Sequence, residues 1–170
     1  MSDHEKRKED GRLDGEGKSV TGFRVSENMV VFSKKLITGW GDMRDHGRYF
    51  TPEEAQRTLP LVKRIVDDIL HTAGEAREIG LTLEGDPESH PAIQARLQEI
   101  EGYFRELEAI GCYFKDWSFE RGVVDFPAVI DGEEVYLCWD RSEEHIRYYH
   151  ALQEGYDQRR PIPPEYLPSR

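Results

Sequence analysis

Residues 50–76 read FTPEEAQRTLPLVKRIVDDILHTAGEA, and the fold class follows from them. The start is a capping box: the Thr51 hydroxyl can accept the Glu54 amide proton, Glu54 can reach back to the Thr51 amide, and Pro52 suits the first helical position. Beyond it Ala55, Leu59, Val62, Val66, Ile69, Ala73 and Ala76 recur at alternating spacings of 4 and 3, a heptad seam. Pro60 lies inside that seam and cannot donate to the preceding turn, so a kink or a short opening turn is expected there.

Working outward, Gly80 to Ser89 is rich in turn formers, and a second helix opens near Ser89 to Pro91. Its seam is Ile93, Leu97, Ile100, Phe104 and Leu107, and Gly111 caps it. Helices over about 52–79 and 90–110 with a short connection make an antiparallel, coiled-coil-like hairpin. The period then changes. Residues 123–139, VVDFPAVIDGEEVYLCW, are two β-rich runs around Asp131-Gly132, a tight-hairpin dipeptide. Cys112 to Trp117 can add a third strand, and Pro127 marks an edge or a bulge. Asp140 or Ser142, followed by Glu143 and Glu144, reads as the start of a short helix over about 142–154. Four prolines between Pro161 and Pro168 predict an extended tail over 163–170. The fold class is therefore α+β, mainly α: the long helical hairpin, a small β-hairpin or sheet, and a short C-terminal helix.

Composition bounds the function. The 170 residues include 23 Lys plus Arg and 34 Asp plus Glu, a formal charge of −11. Residues 1–42 hold 8 of each sign, leaving 15 basic against 26 acidic residues in 43–170. The acidic part repels phosphate backbones and anionic lipid, so neither nucleic acid nor a membrane surface is an expected partner. Residues 1–42 lack apolar periodicity at their start and are expected to form a largely disordered N-terminal extension. They contain no signal-peptide h-region and no membrane span, so the chain is expected in the cytoplasm, with Cys112 and Cys138 as free thiols.

A resemblance adds to this reading. Arg48-Tyr49-Phe50-Thr51-Pro52-Glu53-Glu54-Ala55 with Leu59-Pro60, Gly122 to Ala128, Val135 to Trp139, then Glu143, His150, Gly155, Arg159 and Pro161 resemble the bacterial domain-of-unknown-function family 2203. The likeness spans about Arg44 to Ile162. Ser142, Tyr149 and Gln158 stand where the family pattern has Gly, Trp and Gly, and Gln158 alters the turn that presents Arg159. The resemblance implies a single domain over 43–162 with Met43 as its start, and it implies no activity.

Residues suited to chemistry cluster late in the chain: Asp125, Cys138 with Trp139 beside it, Glu143, His150 and Arg159. Cys138, His150 and Glu143 are donor types for zinc or iron, although their spacing matches no standard metal motif. The plainer reading makes Cys138 a small buried hydrophobe, Glu143 a helix-start carboxylate, and His150 a core histidine bonded to Asp125 or Glu143. Arg159 can pair with Asp125 or Glu143, or grip a carboxylate or phosphate ligand. Asp67, His71 and Glu75 share a helix face, but the second helix has no internal histidine, which argues against a di-iron bundle. No nucleophile elbow or oxyanion loop accompanies Cys138. The expected function is a small non-enzymatic interaction module, self-associating or docking a protein partner through its helix faces, with no cofactor. The alternative is a metal- or small-ligand-binding site, catalytic or not, at Asp125, Cys138, Glu143, His150 and Arg159.

Overall fold

A computed structural model describes residues 47–169, so the expected N-terminal extension over 1–42 lies outside the described residues. Helices α1 (Pro52–Leu81) and α2 (Pro91–Ile110) are followed by strands β1 (Tyr113–Phe114), β2 (Val123–Ile130), β3 (Glu133–Asp140), β4 (Tyr148–Ala151) and β5 (Arg160–Pro161). The capping box forms, with Glu54 N donating to Thr51 Oγ1 at 3.1 Å and Thr51 N to Glu54 Oε2 at 3.0 Å. No separate opening turn forms: α1 is continuous through Pro60, which sits on an exposed position. All seven α1 seam residues and all five on α2 are buried. Each of the Leu, Val, Ile and Phe side chains among them contributes roughly 1.5–3 kcal/mol through burial. At its end α2 turns through Gly111 at φ 106°, where a Cβ would stand 3.1 Å from Phe50 Cε2, so the position favours glycine twice over. No described helix is long and apolar enough to cross a membrane.

The five strands form one antiparallel sheet in the order β1-β2-β3-β4-β5. Asp131 and Gly132 both have positive φ, 52° and 79°, as a type I′ turn requires, and this fixes Ile130 opposite Glu133. Strand alternation then sorts the side chains. Phe114, Val124, Phe126, Ala128, Ile130, Val135, Leu137 and Trp139 join the core with the helices, the Phe104 and Phe114 ring centroids lying 5.5 Å apart. Pro127 lies within β2, yet β1 pairs only with Val124 and Asp125, so the outer edge at Pro127 is not covered by a strand. Its carbonyl instead accepts the Phe50 amide at 2.7 Å, and the donor it lacks faces the same edge.

Two expectations fail in the C-terminal part. The short helix over about 142–154 does not form. Asp140 caps Ser142 through 2.8 Å and 2.7 Å bonds, Glu143 N donates to Asp140 O at 2.8 Å, and the chain makes one turn and leaves it. Residues 148–151 then pair with β3 and satisfy their backbone across a sheet. The Pro-rich tail is not simply extended either. Pro164–Tyr166 makes a 3-10 turn, and the Tyr166 hydroxyl donates to Asp131 Oδ1 at 2.7 Å and accepts from Asp131 N at 3.0 Å.

Candidate metal centre

The second face of the sheet is polar and nevertheless buried. Asp125, Tyr136, Cys138, Asp140 and His150 are all under 5% exposed. The hairpin register places Asp125 opposite Cys138. Val123 O accepts Lys115 N and Pro127 O accepts Phe50 N, so these alternate residues of β2 turn their backbone groups away from β3. Asp125 has the same parity, and Asp125/Cys138 is thus a non-hydrogen-bonded pair, the register that brings side chains closest. Strand β4 adds His150, paired across β3 with Tyr136.

The imidazole is oriented from both sides. Its Nδ1 lies 2.8 Å from Ala151 O, and since a carbonyl only accepts, Nδ1 carries a proton. Its Nε2 points to Asp125 Oδ2 at 3.1 Å. Burial alone would lower the His150 pKa, but the hydrogen bond to Asp125 and its charge outweigh burial, and the value is raised above 6.5. Burial first, then the neighbouring Asp125 carboxylate, pushes the Cys138 thiol well above its usual range, so the thiol stays protonated at neutral pH in the metal-free protein. With Nδ1 engaged by Ala151 and Nε2 by Asp125, His150 offers no nitrogen as a base for Cys138. A Cys/His nucleophile does not fit this arrangement.

One donor atom each from Asp125, Cys138 and His150 all lie within 4.8 Å of one another. Asp125 Oδ1 is buried and makes no hydrogen bond among the described residues. The three residues share a cavity of about 630 Å³ whose other walls include Lys115, Arg121 and Tyr156. Lys115 is its inner cation: burial lowers its pKa, against the opposing pull of Asp125 and Cys138.

The other residues expected at the site separate from it. Glu143 does not join the donor cluster: Arg159 Nη1 donates to its two oxygens at 2.8 Å and 3.1 Å, and Asp140 N donates to Oε2 at 2.9 Å. The guanidinium of Arg159 stacks 3.8 Å from the Tyr156 ring centre and 4.7 Å from that of Tyr148, so it completes a structural pair. Trp139 faces the core, its Nε1 donating to Glu143 O at 3.0 Å, because it is one residue out of phase with Cys138. On α1, His71 and Glu75 pair at the surface at 3.5 Å, Glu75 also meets Arg96, and Asp67 bonds Arg141. Among the described residues these side chains are taken up by surface ion pairs and form no donor cluster.

Lys115 and Tyr136 were not among the expected site residues. The signal for both is strand alternation, since Lys115 is two residues from Tyr113, the partner of Asp125, and Tyr136 is two from Cys138. Asp116 organises the approach to β2, accepting backbone protons from Ser118, Glu120, Arg121 and Gly122 at 2.6–3.2 Å. Burial would raise its pKa, but the hydrogen bond from the Ser118 hydroxyl and those from the backbone amides prevail and hold it below the usual carboxylate value.

No curated protein and no solved structure matches this chain. The family described as "Uncharacterized conserved protein (DUF2203)" has a model that matches residues 48–162, from the segment leading into α1 through β5, and the chain belongs to that family.

Proposed function

We propose that the chain binds one divalent transition-metal ion, best matched by zinc, through an Asp125 carboxylate oxygen, Cys138 Sγ and His150 Nε2. The observation that carries this reading is the convergence of three chemically different, buried donors, one of which, Asp125, also has a second carboxylate oxygen without a hydrogen-bond partner among the described residues. An N, S and O donor set suits a borderline-soft ion such as zinc. Tetrahedral zinc needs donor atoms about 3.3–3.8 Å apart, given bonds of roughly 2.0–2.3 Å. His150 Nε2 and Asp125 Oδ2 are at 3.1 Å and all three donors are within 4.8 Å, so movements of about an ångström would complete the set. The bond from His150 Nδ1 to the Ala151 carbonyl is the support that metal-bound histidines use to fix their tautomer.

The helical hairpin gives less support to an interaction role. Its seam residues, which motivated self-association, are consumed inside the chain, and Leu61 and Leu81 are the large apolar side chains left exposed on the described helices. Isothermal titration of the chelator-treated chain with zinc, read together with elemental analysis, tests the metal reading. One ion per chain is expected, with binding abolished in Cys138→Ser and Asp125→Asn/His150→Leu; no stoichiometric uptake by the folded wild-type chain would overturn it.

A further inference from the structure

We infer that the metal ion, on the reading just proposed, keeps its fourth coordination position open to the cavity, where it takes an oxygen donor of a small anionic molecule such as a carboxylate. Three donors converge, and the neighbouring carboxylates are committed elsewhere. Glu143 is held by Arg159 and Asp140 N, and Asp116 by four backbone amides. Asp140 accepts from Ser142 and from the Tyr156 hydroxyl at 3.0 Å, and Glu154 accepts from Ala151 N and Arg160, both at 2.9 Å. None of them can turn toward the cluster without abandoning these bonds. A three-donor site with space beside it is the arrangement of zinc centres that exchange ligands, whereas purely structural centres close with a fourth protein donor.

The charge of the bound ligand follows from the walls. A thiolate and a carboxylate together neutralise a divalent ion, so the centre itself would be close to neutral. Two basic side chains then line the cavity: Lys115, on the same wall as Asp125 and Cys138, and Arg121, whose guanidinium lies 4.5 Å over the Tyr156 ring and 3.7 Å from Asp140. A cavity of about 630 Å³ has room for a metabolite-sized molecule.

The test uses the full chain loaded with Co²⁺ in place of zinc and titrated with sodium azide, then with acetate. Thiolate-to-metal charge transfer reports occupancy, and the visible ligand-field bands report the fourth position. Saturable movement of those bands with a single anion site is expected, and Lys115→Met, compared at saturating Co²⁺, should weaken azide binding severalfold. Charge transfer with bands that ignore both anions would overturn the open position and leave the metal reading standing. Failure to take up Co²⁺ or zinc would remove both. The wild-type titration decides the matter even if the Lys115 variant does not fold.

Discussion

Breaking the Asp125–His150 pair from either side should cost different amounts, and the asymmetry can be worked from the geometry. Both side chains are about 3–4% exposed and 3.1 Å apart. In metal-free protein His150→Leu leaves the Asp125 carboxylate buried without its partner, a loss of roughly 3–5 kcal/mol. The Lys115 charge, which also acts on Asp125, keeps that loss near the lower end. Asp125→Asn costs less, because the interactions that raise the His150 pKa go with Asp125 and burial then favours the neutral imidazole. What remains is one lost charged hydrogen bond, about 1.5 kcal/mol. The double variant Asp125→Asn/His150→Leu should lose less than the sum, with a coupling of roughly 1.5–3 kcal/mol. Urea unfolding in chelator, followed by tryptophan fluorescence, measures all four corners. The pH dependence has a definite sign. A histidine raised on folding contributes stability that is complete below its ordinary value of 6.5 and is lost as pH rises through the folded value. The gap between wild type and Asp125→Asn should therefore be wider at about pH 6 than at about pH 9. Equal single costs that add to within about 0.5 kcal/mol would refute the reasoning.

Three further outcomes follow from other parts of the fold. Asp116→Ala should lose about 2 kcal/mol in chemical denaturation, since four backbone amides lose their acceptor. Its depressed carboxyl contributes stability above the ordinary value of 3.8 and loses it as pH falls through the lower folded value, so an acid-unfolding series should show Asp116→Asn and wild type converging in strong acid. Gly122→Ala should cost roughly 2–4 kcal/mol, because φ is 81° and the new Cβ would stand 2.7 Å from Val66 Cγ1; a thermal melt unchanged from wild type would contradict the packing of α1 on β2. Zinc at about 100 times its dissociation constant should stabilise wild type by about 2.7 kcal/mol and leave Cys138→Ser unmoved, as read from denaturant midpoints.

The parts of this architecture legible in the sequence are those fixed by local chemistry. Thr51-Pro52-Glu53-Glu54 needs only its own backbone to start α1, and each helix seam is an internal period. Asp131-Gly132 carries longer-range information: a two-residue turn that pairs 130 with 133 also pairs 125 with 138, so two of the three clustered donors are brought together by one dipeptide. His150 was legible as a donor but not as a strand residue. Asp140, Ser142 and Glu143 make the hydrogen bonds of a helix start, and local signals cannot weigh those against the pairing of Tyr148–Ala151 with β3, which depends on residues ten or more positions away. The expected place of Glu143 depends on that same helix, whereas Trp139 leaves the site through strand alternation alone. A helix would have turned Glu143 toward His150, whereas the actual turn gives it to Arg159 and to the backbone.

The contrast between the two faces of the sheet is itself an argument for function. On the helix side every central position is apolar, so the strands accommodate a core wherever stability is the requirement. On the other side Asp125, Cys138, Asp140 and His150 are equally buried, and Asp125 Oδ1 lacks a hydrogen bond. A buried ion pair can often be replaced by well-packed hydrophobic residues at no loss, or with a gain of about 1–4 kcal/mol, and an unpaired buried acceptor costs about 1–3 kcal/mol. Asp140 has a structural task in capping Ser142 and accepting from Tyr156, whereas the unpartnered Asp125 oxygen beside Cys138 and His150 adds nothing to stability. On the reading proposed above, a metal ion would supply the reason to keep these three together, because it would engage the carboxylate, the thiol sulfur and the imidazole together.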